Sequence, residues 1–341
     1  MSARWARGLA APLVGLAVVT LVFSIAAPSF LSAGNAQALA AQTVVVALGA
    51  IGMTFVIVSG GIDLSVGSVM ALSSVTAAVV LRQGHGDAAA VLAAVAVGVG
   101  AGLANGGLVA RLGIAPFIAT LGTMSAARGA AKWMAGERNV YPPEGWQSSF
   151  MAKQPDPSWL LVAPGVWLTL GLALLAGVVL RRTVLGTWVV AVGSNEATAI
   201  LCGVPVRRVK ASVYVIAGAL AGVAGVAQLH RLSSGDPTTA MGKELEVVAA
   251  VVIGGASLAG GEGRMLGSLL GALLMAALAN GCNLVDLVAA ARRVGLSEEQ
   301  GARLESLLGG SGIPNYVQEV LVGAIIVAAA TADRLRHRRH H

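Results

Sequence analysis

The sequence predicts an all-α integral membrane protein, a polytopic bundle of about ten transmembrane helices built as one domain over residues 1–341. Three observations carry this. Hydrophobic residues make up 56% of the chain and charged residues 11%, against roughly 25% charged in soluble domains. Water would meet too much of that apolar surface, whereas lipid removes the difficulty. Apolar runs near spanning length recur along the whole chain, and the basic residues fall unevenly between alternate connections.

A spanning helix needs about 20 mostly apolar residues. Ten segments qualify as candidates: 9–30, 38–58, 64–81, 88–110, 114–131, 159–180, 211–229, 243–257, 265–285 and 315–332. The third and eighth are short and bounded by glycine. The first has the look of a secretory signal, with Arg4 and Arg7 before an apolar run and Ala26-Ala27 after it. The run is long and Pro28 follows at once, so the segment is kept as a helix. The 45 glycines and many alanines suit helices that approach closely in lipid.

Alternation through ten spans from a cytoplasmic N-terminus puts both termini inside. That side then holds 13 of the 23 basic residues and four of the 16 acids, Asp63, Glu196, Glu262 and Asp333. This agrees with the excess of Lys and Arg in cytoplasmic loops. The net charge of +7 is thereby explained by topology, and no nucleic-acid partner is expected. Cys202 falls in a predicted cytoplasmic loop and Cys282 in a predicted helix, so neither a disulfide nor a metal site is expected.

Three connections are long. Residues 132–158 and 286–314 are expected outside and residues 183–210 in the cytoplasm. The first carries Trp133, Tyr141 and Trp146, with Trp159 just beyond, aromatics suited to the membrane interface. In the last, Ser297 and Gln300 read as a capping box opening a short amphipathic helix that includes Leu304, Leu307 and Leu308.

No phosphate loop is present: the one Gly-Lys pair, Gly242-Lys243, is followed by Glu244. No zinc-hydrolase motif or cysteine cluster occurs. Energy for any transport must come from a partner or an ion gradient. The stretch Ser59 to Ser68, SGGIDLSVGS, places Asp63 between deep apolar flanks. A charge at the bilayer centre costs roughly 2.5–3.5 kcal/mol on insertion scales, so it needs a reason. One is an N-cap, Asp63 accepting from backbone N–H groups that open the third helix. Another is a place on a translocation path, and the two can coexist. Gly254 to Gly261 echoes Gly60 to Gly67 in the pattern G-G-x-[DS]-L-[SA]-x-G, and paired glycine-interrupted segments can mark a transporter's binding region. In the cytoplasmic loop, Ser194 or Asn195 can cap a short helix with Glu196 in its first turn, and Gly203 can end it.

Five blocks stand in order: SGGIDLSVGSVMAL (59–72), APFIATLGTMSAARG (115–129), AVGSNEATAILCGVPVRRVK (191–210), YVIAGALAGVAG (214–225) and ELEVVAAVVIGGASLAGGEG (244–263). Together they resemble the permeases of the ribose/xylose/autoinducer-2 family of ATP-binding-cassette importers, over roughly residues 40–285 and 314–335. The resemblance implies a permease of the bacterial inner membrane for a monosaccharide or related small polar solute, with no cofactor of its own. Pairing with a second permease subunit, a homodimer, is implied. So are cytosolic ATPase subunits, which use ATP and Mg, and an external solute-binding protein. It marks Ser194, Asn195, Glu196, Ala197 and Gly203 as the coupling helix that fits the ATPase. It points to Asp63, Ser65, Phe117, Thr120 and Asn280 for the pathway. Phe117 and Thr120, at i and i+3, are expected to share a helix face. The charged segment 286–312 departs from the family's short link at that place. An ion-coupled transporter or channel is the competing class and would need paired intramembrane ion sites, of which only Asp63 is visible. A membrane enzyme would need a nucleophile or metal set that the sequence does not display.

Overall fold

The computed structural model describes residues 3–143, 147–152, 160–286, 297, 299–300, 303, 306 and 313–338. Its elements in order are α1 (Ala3–Ala26), α2 (Ala33–Val58), α3 (Val66–Arg82), α4 (Asp87–Ala110), α5 (Pro116–Ala135), α6 (Gln147–Phe150), α7 (Pro164–Arg182), α8 (Val184–Ser194), α9 (Glu196–Leu201), α10 (Val206–Leu232), α11 (Lys243–Ile253), α12 (Met265–Leu284) and α13 (Asn315–Arg338). Among the described residues there is no β-strand, only an isolated antiparallel bridge between Val140 and Gly235. Each of the ten apolar segments holds a helix. Among the described residues, six helices are long and apolar enough to cross a membrane: residues 9–26 of α1, then α2, α4, α7, α10 and α12.

Local chemistry sets the ends. Ser32 caps α2, accepting from the Asn35 N–H at 3.2 Å. Pro116 and Pro164 open α5 and α7, where the missing N–H costs nothing. Gly136 closes α5 in the left-handed conformation. The capping box expected near 297 forms: the Ser297 N–H donates to Gln300 Oε1 at 3.0 Å and the Gln300 N–H to Ser297 Oγ at 3.3 Å. Leu304, Leu307 and Leu308 lie outside the described residues, as do Trp146 and Trp159.

The core is organised around α2, buried without interruption from Val44 to Val58 and contacted by α7, α10, α11 and α12. A helix that is apolar all round belongs inside. α10 packs most extensively on α4, and the reason is on both surfaces. A Cβ placed on Gly98 of α4 would press into the Gly218 carbonyl oxygen and stand 2.9 Å from the Gly222 nitrogen of α10. The two backbones therefore touch without side chains between them, the small-residue packing that lipid favours. By contrast, Leu13, Val14, Val18, Leu21, Val22 and Ile25 of α1 all point outward, away from the α12 face on which α1 rests.

The eighth apolar segment departs from the expected spanning helix over 243–257. α11 stops at Ile253, and its 11 residues rise about 16 Å, roughly half of a hydrocarbon core about 30 Å thick. Gly254 and Gly255, the latter at φ +90°, end it. The preceding residues 233–242 are not helical. They run beside α3 from its last turns to its first: a Cβ on Gly235 would sit 2.7 Å from Ala78 Cβ, and one on Gly67 2.5 Å from the Ala240 carbonyl oxygen. Arg128 of α5 donates through Nη1 to the carbonyls of Pro237 (2.9 Å) and Thr239 (2.7 Å), supplying donors that a helix would otherwise provide.

Candidate functional site

Two clusters contain seven of the ten residues singled out from sequence. The first is the segment from α8 to the start of α10. Asn195, rather than Ser194, is the cap of α9: its Oδ1 accepts from the Thr198 N–H at 2.9 Å. Gly203 ends the helix at φ +79°. The Gly203 N–H donates to the Ile200 carbonyl at 2.9 Å and the Val204 N–H to the Ala199 carbonyl at 3.0 Å, the paired bonds of a Schellman stop. Glu196 pairs with Lys210 at 2.7 Å, tying α9 to the first turns of α10. Ala199 is buried while Ala197 is exposed.

A helix of two turns capped at both ends holds its outer face fixed. That face is apolar: Ile200 is 57% and Leu201 87% exposed. Sequence reasoning centred on Asn195, Glu196 and Ala197 and passed over these two. The signal was present, because between the Asn195 cap and the Gly203 stop the one large apolar pair falls at 200–201. Beside α9 lies a cavity of about 840 Å³, walled by residues 109–116 and by Pro205 to Arg208.

Ser194 has a different place. α8 ends where three backbones meet. A Cβ on Gly193 would press into the Val58 carbonyl oxygen at the end of α2 and stand 2.6 Å from the Gly261 nitrogen. One on Gly260 would stand 3.0 Å from the α-carbons of both Gly193 and Gly60. The Gly261 N–H donates to the Val58 carbonyl at 2.9 Å. The two echoing glycine stretches thus converge on the residues just before α9, with Ser194 packed against Gly261.

The second cluster surrounds Asp63 in the turn between α2 and α3. Its Oδ1 accepts from the Ser65 N–H at 2.8 Å and the Ser65 hydroxyl at 2.6 Å. Asn105 of α4 donates to Ser65 Oγ at 2.9 Å and, at 3.5 Å, reaches Asp63. Asp63 is 3% exposed. The cap position of α3 is Ser65, whose side chain makes no capping bond. Asp63 therefore braces the residue that begins the helix instead of reaching donors inside its first turn. The other pathway candidates lie in separate settings. Phe117 is 52% exposed, whereas Thr120 is buried and its hydroxyl donates to Pro116 O of its own helix at 2.9 Å. The expected shared face is thus split, since the edge of the buried side of α5 runs between them. Asn280 of α12 is buried, and its amide oxygen has no hydrogen-bond partner among the described residues.

Asp63→Ala is expected to lower stability by about 2–3 kcal/mol, because the Ser65 N–H and hydroxyl lose their acceptor in a buried site. Asp63→Asn keeps an acceptor oxygen and should lose much less. Thermal unfolding in detergent reads the difference, and equal melting of both variants with wild type would remove the bracing role.

The sequence profile described as "Branched-chain amino acid transport system / permease component" matches residues 35–330. The ribose import permease protein of Bacillus subtilis (strain 168) is 35% identical over 328 residues, covering 95% of this chain and 92% of its own. The chain belongs to this permease family. The ribose import permease protein of Escherichia coli (strain K12) is 39% identical over 281 residues, 81% of this permease and 86% of its own. The L-arabinose ABC transporter permease protein of Azospirillum brasilense is 32% identical over 326 residues, covering 94% and 87%. No solved structure matches the chain. The permease is accordingly the membrane subunit of an ATP-binding-cassette importer in the inner membrane. Hydrolysis resides in a separate ATPase subunit, and the family carries with it a periplasmic binding protein.

Proposed function

We infer that this permease carries a monosaccharide across the inner membrane as one half of a homodimer. Each copy crosses the membrane ten times with both termini in the cytoplasm. The names of its relatives, ribose and L-arabinose permeases, support the solute class. The distribution of Lys and Arg supports the orientation. The chain binds no cofactor, and ATP and Mg act on the partner ATPase.

The observation that carries the mechanism is the fixed apolar tip of α9. Ile200 and Leu201 stand out from a doubly capped helix in the cytoplasmic connection 183–210, where a groove of the ATPase would take them. Closure of the ATPase dimer on ATP would move α9. The glycine junction at its root would carry that movement to the ends of α2 and of the 254–264 loop, so that the solute pathway opens first to one side of the membrane and then to the other. The permease performs no covalent chemistry.

Leu201→Glu is expected to weaken retention of the ATPase by roughly 5- to 150-fold, since a buried apolar anchor at an interface is worth about 1–3 kcal/mol. Glu196→Ala should cost far less, because its ion pair with Lys210 is half exposed and such pairs contribute at most about 1 kcal/mol. Full retention of the ATPase by a folded Leu201→Glu permease would show that α9 is only a connector.

A further inference from the structure

α7 and α12 are both long enough to span, yet their outer faces leave a groove between them. It has a volume of about 420 Å³ and is lined by Leu170, Leu174 and Gly177 of α7 and by Met265, Leu266 and Leu269 of α12. Gly177 helps to keep it open: a Cβ there would meet Met265 alone within 4 Å, at 3.7 Å. Leu174 is 72% exposed. A second cavity of about 300 Å³ shares Leu170, Leu266 and Leu269 and carries the apolar surface on to α2. From Leu170 to Arg181, α7 rises about 16 Å. That is close to the depth of one leaflet of a hydrocarbon core about 30 Å thick.

The groove ends on charge. Arg181 and Arg182, the last two residues of α7, line one end of it, and both are exposed. Among the described residues no acid lines it. Arginine's planar fork suits phosphate oxygens, and basic sites between spanning helices hold anionic headgroups. A free phosphate would use the arginines and leave the apolar groove empty. A helix of another chain, about 10–12 Å across with its side chains, is too wide for this volume over this length. A hydrocarbon chain is not, and a phospholipid has both parts in the order found here. The site also adjoins a tight corner. The Thr183 hydroxyl donates to the Val179 carbonyl of α7 at 2.7 Å and accepts from the Gly186 N–H of α8 at 3.3 Å. A Cβ on Gly186 would press into the Leu180 carbonyl oxygen. The last turn of α7 and the first of α8 are therefore held together, and α8 leads directly to the Gly193 junction and α9.

We propose that an anionic phospholipid occupies this groove, with an acyl chain between α7 and α12 and its phosphate on Arg181 and Arg182, and that it steadies the corner from which the coupling segment extends. In the orientation inferred above the phosphate lies in the cytoplasmic leaflet. The site goes beyond the import reaction and does not depend on which solute is carried.

Native mass spectrometry of the delipidated full-length permease in detergent tests the site. Phosphatidylglycerol and phosphatidylcholine with identical acyl chains compete at equal concentration. Wild type is expected to favour phosphatidylglycerol by roughly 5- to 30-fold, the attraction of one to two arginines near a membrane surface. Arg181→Gln combined with Arg182→Gln should abolish that preference while a lipid still binds. Both side chains are exposed, so this variant should fold and decides the headgroup whatever happens to the next one. Gly177→Leu, whose Cβ has room beside Met265, fills the groove and should weaken binding of both lipids several-fold. The same exchange to Gln at Arg207 and Arg208, an exposed pair at the start of α10, should leave the preference intact. Equal loss there would assign the preference to overall charge and overturn the site. Persistence of the preference without Arg181 and Arg182 would overturn it too, as would wild-type binding of both lipids by folded Gly177→Leu. If glycerophosphoglycerol, which lacks acyl chains, displaces phosphatidylglycerol as well as the intact lipid does, the ligand is a free phosphate ester and the groove plays no part. Phosphatidylglycerol should also raise the melting point of wild type and not that of the double arginine variant. Binding without that rise would overturn the steadying role.

Discussion

Gly98→Val is expected to be the most damaging single substitution in the bundle. The added carbon would press into the Gly218 carbonyl oxygen and approach the Gly222 nitrogen to 2.9 Å. These are backbone atoms of α10, so no side-chain rotation relieves the contact. The helices must separate along an interface that also includes Gly102 and Gly106 of α4. Overpacking of this kind costs about 1–3 kcal/mol and more where nothing can yield. In lipid the loss is not offset by hydrophobic burial, because close packing itself drives the association. We expect a sharp fall in monodisperse protein and a melting point well below wild type. Gly100→Val on the same helix is the control, since a Cβ there meets nothing within 4 Å. It should differ from wild type only by the helix propensity of Val, under about 1 kcal/mol. If the two variants melt together, the α4–α10 contact does not limit stability.

Gly193→Val should separate ATP hydrolysis from transport. Its side chain would enter the point where α8, the end of α2 and the Gly260-Gly261 turn touch, and it would break the 2.9 Å bond from the Gly261 N–H to the Val58 carbonyl. The outer face of α9 is built from Asn195 onward and closed by its own caps, so the ATPase should still be retained. Movement of α9 would no longer reach α2 in register. The expected result is an assembled importer whose hydrolysis continues while uptake falls at least tenfold. Uptake at the wild-type rate would show that the movement takes another route. Loss of the ATPase would show that the junction sets the position of α9 rather than relaying its motion.

Much of this architecture could be read from the residues. The ten apolar segments each contain a helix because burial in lipid leaves the backbone no other way to satisfy its hydrogen bonds. The bounds of α9 followed, to within the choice of Ser194 or Asn195 as cap, from those residues and Gly203, since caps act through residues only a few positions apart. The same holds for the Ser297–Gln300 box. The five motif blocks between residues 59 and 263 also carry the likeness to its family. Contacts between distant segments were a different matter. The shortness of α11 escaped the hydropathy pattern, because apolarity continues past Ile253 through residues that are no longer helical. Asp63 was correctly seen to need a partner, but that its brace would be Ser65, supported by Asn105 forty residues on, required the packing of α4 on α3. The echo between Gly60 and Gly260 was visible as a pattern. Only the tertiary structure put both against Gly193, where three backbones lie too close for any side chain. The sequence by itself determined which segments are apolar, how the short helices begin and end, and where along the chain the cations cluster, because those depend on composition and local bonding. The folded bundle decided which residues share a groove, since that depends on which helix faces meet.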